Sequence, residues 1–197
     1  MEEGRGAETA GTGRLGDLVS RAEAFARDLH AGHLRQGRSS RPYVTHLEEV
    51  AALLHEAGAE EAVLAAGWLH DAVDNALTAN RRVTARELSE LFGWEVAAMV
   101  AELADNPRIP LPLRKDIRLR SARYATAGAR MVTLADLTSQ LRALIEDAPA
   151  DWDHGRKVEY FGWAARVAAN CRGHAPSLEA AFTAAYRAGL ARLAAEA

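Results

Sequence analysis

Apolar residues recur along this chain at three- and four-residue spacing, broken by short polar or Gly/Pro segments, a rhythm that belongs to amphipathic helices and not to alternating strands. Leu15, Leu18, Val19, Ala22, Phe25, Ala26 and Leu29 mark a first helix that ends near Gly32. Residues 35–41 are polar and read as a loop, and Pro42-Tyr43-Val44 as extended chain. Thr45 and Glu48 have capping-box spacing, which places His46 in the first turn of a second helix running through Val50, Leu53 and Leu54 to a stop at Gly58. A third helix is predicted from residue 60 to about 75, apolar at Val63, Leu64, Ala66 and Leu69, then polar at His70, Asp71, Asp74 and Asn75. Thr84 and Glu87 cap a short helix that Gly93 closes, and 94–103 is the next. Pro107, Pro110 and Pro112 break the pattern into a loop. Beyond it, residues 113–124, 129–145, 158–169 and 177–194 read as helices, the last started by Pro176-Ser177. The expected fold class is all-α, with a pocket between helices.

Residues 1–13 are Gly, Glu and Thr without apolar periodicity, so they are expected to be a disordered tail ahead of a single domain over 14–197. With 197 residues, 49% of them apolar, the chain can bury one sizeable core. A net charge of -3 removes the broad basic field that duplex nucleic acid requires, so contacts to a small anion must come from locally placed Arg. Cys171 is the single cysteine, which excludes an internal disulfide and fits a reducing cytoplasm. No signal pattern or membrane-length apolar run is present, and neither a nucleic-acid nor a membrane partner is expected. Oligomeric state is not legible.

The chemistry concentrates in His46, the adjacent pair His70-Asp71, and Asp136. Two imidazoles and two carboxylates with open positions can hold one divalent transition metal and activate a water on it. A His-Asp dipeptide alone is weak evidence, but here it ends an apolar helix, where an unpaired charge is costly. Asp136 likewise interrupts the apolar run Met131-Val132-Thr133-Leu134-Ala135. The alternative for each Asp is a helix-end carboxylate satisfied by a cap or an Arg. His30, His33, His55, His154 and His174 read as surface or supporting residues, and Trp68, Trp94, Trp152 and Trp163 as core or pocket wall. Cys171 has no basic partner in sequence and is not expected to be a nucleophile.

Ala24-Phe25-Ala26, His30-Ala31-Gly32, Arg35, Pro42-Tyr43-Val44-Thr45-His46, Ala66-Gly67-Trp68-Leu69-His70-Asp71-Ala72-Val73, Phe92-Gly93, Arg114-Lys115, Leu134-Ala135-Asp136 and Glu159-Tyr160-Phe161-Gly162-Trp163 follow one another in a recognisable order. In that order they resemble the HD-superfamily guanosine polyphosphate pyrophosphohydrolases, and within them the stand-alone small alarmone hydrolases similar to the metazoan SpoT homolog. The resemblance runs from about residue 15 to 190. It implies a compact helical fold and one Mn²⁺ on His46, His70, Asp71 and Asp136, with Fe²⁺ or Zn²⁺ also compatible with such ligands. It further implies removal of the 3′-pyrophosphate from ppGpp or pppGpp, and a link to NADPH dephosphorylation. Arg35 would stack on the base, Gln140, Arg156 and Tyr160 would contact the nucleotide or its phosphates, and Lys115 is a further phosphate candidate. The chemistry suits these roles, since a guanidinium stacks on purines and pairs with phosphate. Arg156 and Lys115 also read as solvated charges, and Tyr160 as packing.

The chain departs from that pattern at four positions. The Glu-Asp pair that positions and deprotonates water in active relatives is Asp74-Asn75 here, the candidate catalytic pair. Asp74 keeps the charge with about 1.5 Å less reach, while Asn75 cannot act as a base. Loss of a general base costs roughly 10²–10⁴-fold in rate. The Lys before Leu-Ala-Asp is Thr133, and the Asn four residues after that Asp is Gln140. Three functions therefore stay open: an alarmone hydrolase with weakened turnover, a hydrolase of another nucleotide or phosphate ester such as NADPH, and a catalytically silent nucleotide-binding module.

Overall fold

The computed structural model describes residues 16–73, 81–106 and 108–196. Among them, nine α-helices follow in order: α1 (Asp17–Leu29), α2 (Val44–Glu56), α3 (Glu61–Leu69), α4 (Ala85–Phe92), α5 (Trp94–Leu103), α6 (Leu111–Ser121), α7 (Ala127–Glu146), α8 (His154–Asn170) and α9 (Pro176–Glu196). A 3₁₀ turn, Ala122–Tyr124, extends α6. The β pairing among these residues is an isolated antiparallel bridge between Leu34 and Pro42, so the fold is all-α as the periodicity implies. None of the helices is long and apolar enough to cross a membrane. The expected N-terminal tail, and Asp74 and Asn75, lie outside the described residues.

Three helix starts are held by side-chain caps: Thr84 accepts from the Glu87 N–H at 3.1 Å, Thr126 from Ala129 at 3.4 Å and Asp153 from Arg156 at 2.7 Å. The capping box expected at Thr45 does not form. The helix starts two residues earlier, with Tyr43 as its N-cap, and the Thr45 and His46 N–H groups already reach the carbonyls of Pro42 and Tyr43 at 3.1 and 2.9 Å. Thr45 then donates its hydroxyl to the Pro42 carbonyl, and Glu48 pairs with Arg27 at 2.8 Å. Helix α3 stops at Leu69, earlier than its polar continuation suggested, and His70 to Val73 form a turn. Pro112 belongs to the first turn of α6 rather than the loop, a place where its missing N–H costs nothing. Trp94 is a further correction, because it is 77% exposed at the start of α5 and walls neither core nor pocket.

Helices α3 and α7 form the interior. The first packs against α1, α2, α5 and α7, and the second against α2, α3, α5, α8 and α9. Between Val63 and Leu69 nearly every α3 side chain is buried, as befits a helix with neighbours on all sides. Gly67 lets α2 approach: a Cβ there would stand 2.4 Å from Leu54 Cδ1, and the close approach brings His46 of α2 near His70. On α7 burial extends to polar residues. Thr133 and Thr138 return their hydroxyls to carbonyls four residues back, at 2.9 and 2.6 Å, which leaves Asp136 and Ser139 to find partners on other helices.

Two predictions follow from this packing. Gly189 of α9 lies against the buried Phe161 ring, where an added Cβ would meet Cε1 at 1.9 Å. Gly189→Ala gains about 1 kcal/mol of helix propensity but overpacks a rigid ring at a cost of about 1–3 kcal/mol, so calorimetry should find a lowered Tm. Cys171 is fully buried, and burial pushes its thiol up to about 11. A thiol reagent such as DTNB should therefore label it only as the protein unfolds.

Candidate metal centre

The four residues singled out in sequence come from three parts of the interior; His46, His70 and Asp136 bring donor atoms within 4.8 Å of one another, and Asp71 lies beside His70. His46 comes from the first turn of α2, His70 and Asp71 from the end of α3, and Asp136 from the middle of α7. His46 Nε2 stands 3.4 Å from His70 Nε2 and 3.4 Å from Asp136 Oδ1, and His70 Nε2 is 3.9 Å from the same oxygen. Asp71 Oδ2 lies 3.0 Å from His70 Nε2 and 3.9 Å from His46 Nε2. Ligands about 2.1 Å from a shared tetrahedral ion stand roughly 3.4 Å apart, so this spacing fits a divalent cation. His70 Nδ1 is 2.8 Å from the Gly67 carbonyl, which turns Nε2 toward the carboxylates.

The electrostatics agree with the donor geometry. Burial works against a charge on His70, yet the Asp71 and Asp136 carboxylates raise its pKa to about 9, so a proton is held where a cation would sit. Burial also opposes ionisation of Asp71 and Asp136, and is outweighed. His70 and His46, with the Tyr43 hydroxyl, keep Asp71 well below the usual carboxylate range. The close approach of His46, 3.4 Å from Oδ1, and the charges of His70 and Arg118 do the same for Asp136.

A cavity of about 470 Å³ opens beside His46. All five nucleotide-contact candidates line it: Arg35, Lys115, Gln140, Arg156 and Tyr160. Arg35 is carried by a loop closed by backbone bonds from Arg35 to Arg41 and from Tyr43 to His33, both 2.8 Å. Asp147, just past α7, pins that loop by accepting from the Arg38 and Ser39 N–H groups at 2.9 and 3.1 Å. Arg156 lies 4.5 Å over the Trp152 ring and pairs with Asp151 at 3.0 Å, while Lys115 stands 5.8 and 5.7 Å from the Tyr160 and Trp163 rings. Gln140 is drawn inward instead: its amide N–H donates to Asp136, and its oxygen accepts from the Tyr160 hydroxyl.

Sequence reasoning missed four side chains around this centre. Tyr43 donates its hydroxyl to Asp71. Arg118 of α6 donates to Asp136 Oδ2 at 3.0 Å, and Ser139 and Glu49 form a chain behind His46. Ser139 and Glu49 lie three residues after Asp136 and His46, on the same helix faces, which was the available signal. Nothing local marks Arg118. Among the remaining histidines, His30 is buried against the Tyr43 ring at 5.0 Å, and burial pushes its pKa down to about 4, so it packs there neutral. His55, His154 and His174 are exposed.

Residues 22–159 match the HD domain family, a span that contains all four of these His and Asp residues. Over 164 residues the chain is 35% identical to the guanosine-3′,5′-bis(diphosphate) 3′-pyrophosphohydrolase MESH1 of Xenopus tropicalis, covering 82% of this chain and 89% of that protein. The human MESH1 is 36% identical over 163 residues, covering 82% and 88%. A solved structure described as a metazoan ortholog of SpoT that hydrolyzes ppGpp superposes with a TM-score of 0.79 at 28% identity, covering 87% of this chain and 94% of that one. The chain belongs to the MESH1 family of guanosine-3′,5′-bis(diphosphate) 3′-pyrophosphohydrolases.

The donor set predicts one divalent ion per chain in a calorimetric titration. Asp136→Asn keeps an acceptor for Gln140 but removes the charge between two imidazoles, and should weaken that binding by about ten-fold or more.

Proposed function

We propose that this protein is a divalent-metal-dependent hydrolase that cleaves the bond between the ribose 3′ oxygen and its diphosphate in ppGpp or pppGpp, releasing pyrophosphate with GDP or GTP. The observation that carries this reading is the convergence of His46, His70, Asp71 and Asp136 at the edge of a cavity that also gathers Arg35, Lys115 and Arg156. Relatives whose names state this activity share most of the chain's length. A divalent ion bound by those four residues lowers the pKa of water and offsets the charge of the diphosphate. Mn²⁺ is the ion we assign, within the range that a mixed imidazole and carboxylate set accepts.

Arg35 stacks on the base, and Lys115 and Arg156 take phosphate charge. Asp74 accepts the proton of the attacking water and Asn75 orients it by hydrogen bonding. The lone thiol is buried, and the compartment we assign is the cytoplasm. A second reading, hydrolysis of another nucleotide or phosphate ester such as NADPH, is favoured by Gln140. With its amide committed to Asp136 and Tyr160, that side chain is not free to read a guanine edge.

Pyrophosphate release from ppGpp by Mn²⁺-loaded protein is the test, with a His70→Ala, Asp71→Ala variant alongside. Metal-dependent release that the variant lacks is expected, and no release from protein with bound Mn²⁺ rejects ppGpp as substrate. Because Asn75 cannot serve as a base, Asn75→Asp should raise kcat by about ten-fold or more.

A further inference from the structure

The hydrogen bonds around Ser139 leave room for one arrangement only. Its fully buried Oγ lies 2.7 Å from Glu49 Oε2, 2.9 Å from His46 Nδ1 and 3.4 Å from Arg35 Nη2. Glu49 is held in turn by Arg142 Nη1 at 3.0 Å, with Arg35 Nη1 at 3.9 Å. A carboxylate only accepts and a guanidinium only donates, so the hydroxyl hydrogen goes to Glu49 and both lone pairs of Oγ accept. One accepts from Arg35. The other accepts from His46, which must therefore carry a hydrogen on Nδ1. Its Nε2, facing His70 and Asp136, is then the nitrogen left to bind a metal.

We propose that Glu49 and Ser139 are positioning residues that lock His46 in its metal-binding tautomer and, through the bond of Arg35 to the same hydroxyl, couple occupancy of the nucleotide pocket to metal affinity. The coupling rests on the reading of Arg35 as a base contact, whereas the tautomer lock does not. A base stacked on Arg35 orders the guanidinium as a donor to Ser139, and that donor keeps the hydroxyl hydrogen on Glu49. Nucleoside and metal therefore tighten one another by the same factor.

Wild type, Ser139→Ala, Glu49→Gln and the double variant are titrated with Mn²⁺ alone, then with Mn²⁺ in the presence of guanosine, which has no phosphate to touch the ion. Ser139→Ala is expected to raise the Mn²⁺ Kd by about ten-fold or more with its circular dichroism and Tm close to wild type. Glu49→Gln is expected to have a smaller effect, since the amide oxygen still accepts, and to add nothing in the Ser139→Ala background. Should Ser139→Ala fail to fold, Glu49→Ala, which removes the acceptor and frees the hydroxyl hydrogen to turn toward His46, is titrated in its place, because Glu49 is partly exposed. Guanosine should tighten Mn²⁺ binding in wild type and not in Ser139→Ala. A Mn²⁺ Kd within two-fold of wild type in Ser139→Ala, or in Glu49→Ala where Ser139→Ala does not fold, overturns the lock, as does a Glu49→Gln effect that persists in full in the double variant. An equal guanosine effect in wild type and Ser139→Ala overturns the coupling. Absence of pyrophosphate release from ppGpp beside an intact Mn²⁺ shift rejects that substrate and supports the lock.

Discussion

Asp136 stands on a helix whose neighbouring inward positions are Val132, Leu134, Ala135 and Leu137, and its carboxylate is buried between two imidazoles and a guanidinium. A charge in such a place is tolerated only when partners satisfy each oxygen, and removing one partner leaves the rest uncompensated. Oδ2 takes Arg118, while Oδ1 takes Gln140 and faces the histidines. Apart from Gln140, which shares α7, those partners come from α2, α6 and the end of α3, so the helices around the cavity are held in register by the contacts of this one carboxylate. Gly67 complements this on the apolar side, letting α2 and α3 approach closely enough for the two imidazoles to face each other.

The cavity beside the centre divides by chemistry. Arg35 and Tyr43 offer flat groups suited to a ring, with Leu34 as an apolar neighbour, and Lys115 and Arg156 offer cations backed by Trp152, Tyr160 and Trp163. Gln140 and Tyr160 link the cavity to the metal-ligand candidates, because both line it, Gln140 donates to Asp136 and Tyr160 donates to Gln140.

Helix periodicity was enough to find every helix of the described residues and to place their ends within a few positions, the end of α3 excepted, because amphipathic faces and caps such as Thr84 are local properties. The ligand candidates were legible for a related reason. His70, Asp71 and Asp136 interrupt apolar runs, and a polar residue there has to be explained. What escaped depended on the approach of distant segments. Arg118 looks like any cation of a polar helix until α6 is laid across α7, and Glu49 looks solvated until Ser139 and Arg142 arrive from ninety residues away. The Thr45 capping box failed because a helix starting two residues earlier leaves no orphan amide for it, a shift no spacing rule registers. Trp94 is exposed because the apolar face of α5 passes through Val96, Ala97 and Val100 instead.

Helix α6 buries none of its residues, and Leu111, Leu113 and Ile117 stand in solvent. What holds it is largely polar: Trp163 donates to the Lys115 carbonyl, Asn170 to Leu119, and Arg118 to Leu103 and Asp136. Water can replace such bonds, whereas it cannot replace the packing of α3 or α7, so the lowest free energy of local opening in the cavity wall belongs to this side. The protein thus carries its Lys115 and Arg118 charges on a yielding wall and its imidazoles on a stiff one. Breathing of this wall would widen the passage for a bulky anion and at the same time draw Arg118 away from Asp136, so entry to the cavity and the charge balance of the imidazole cluster are linked.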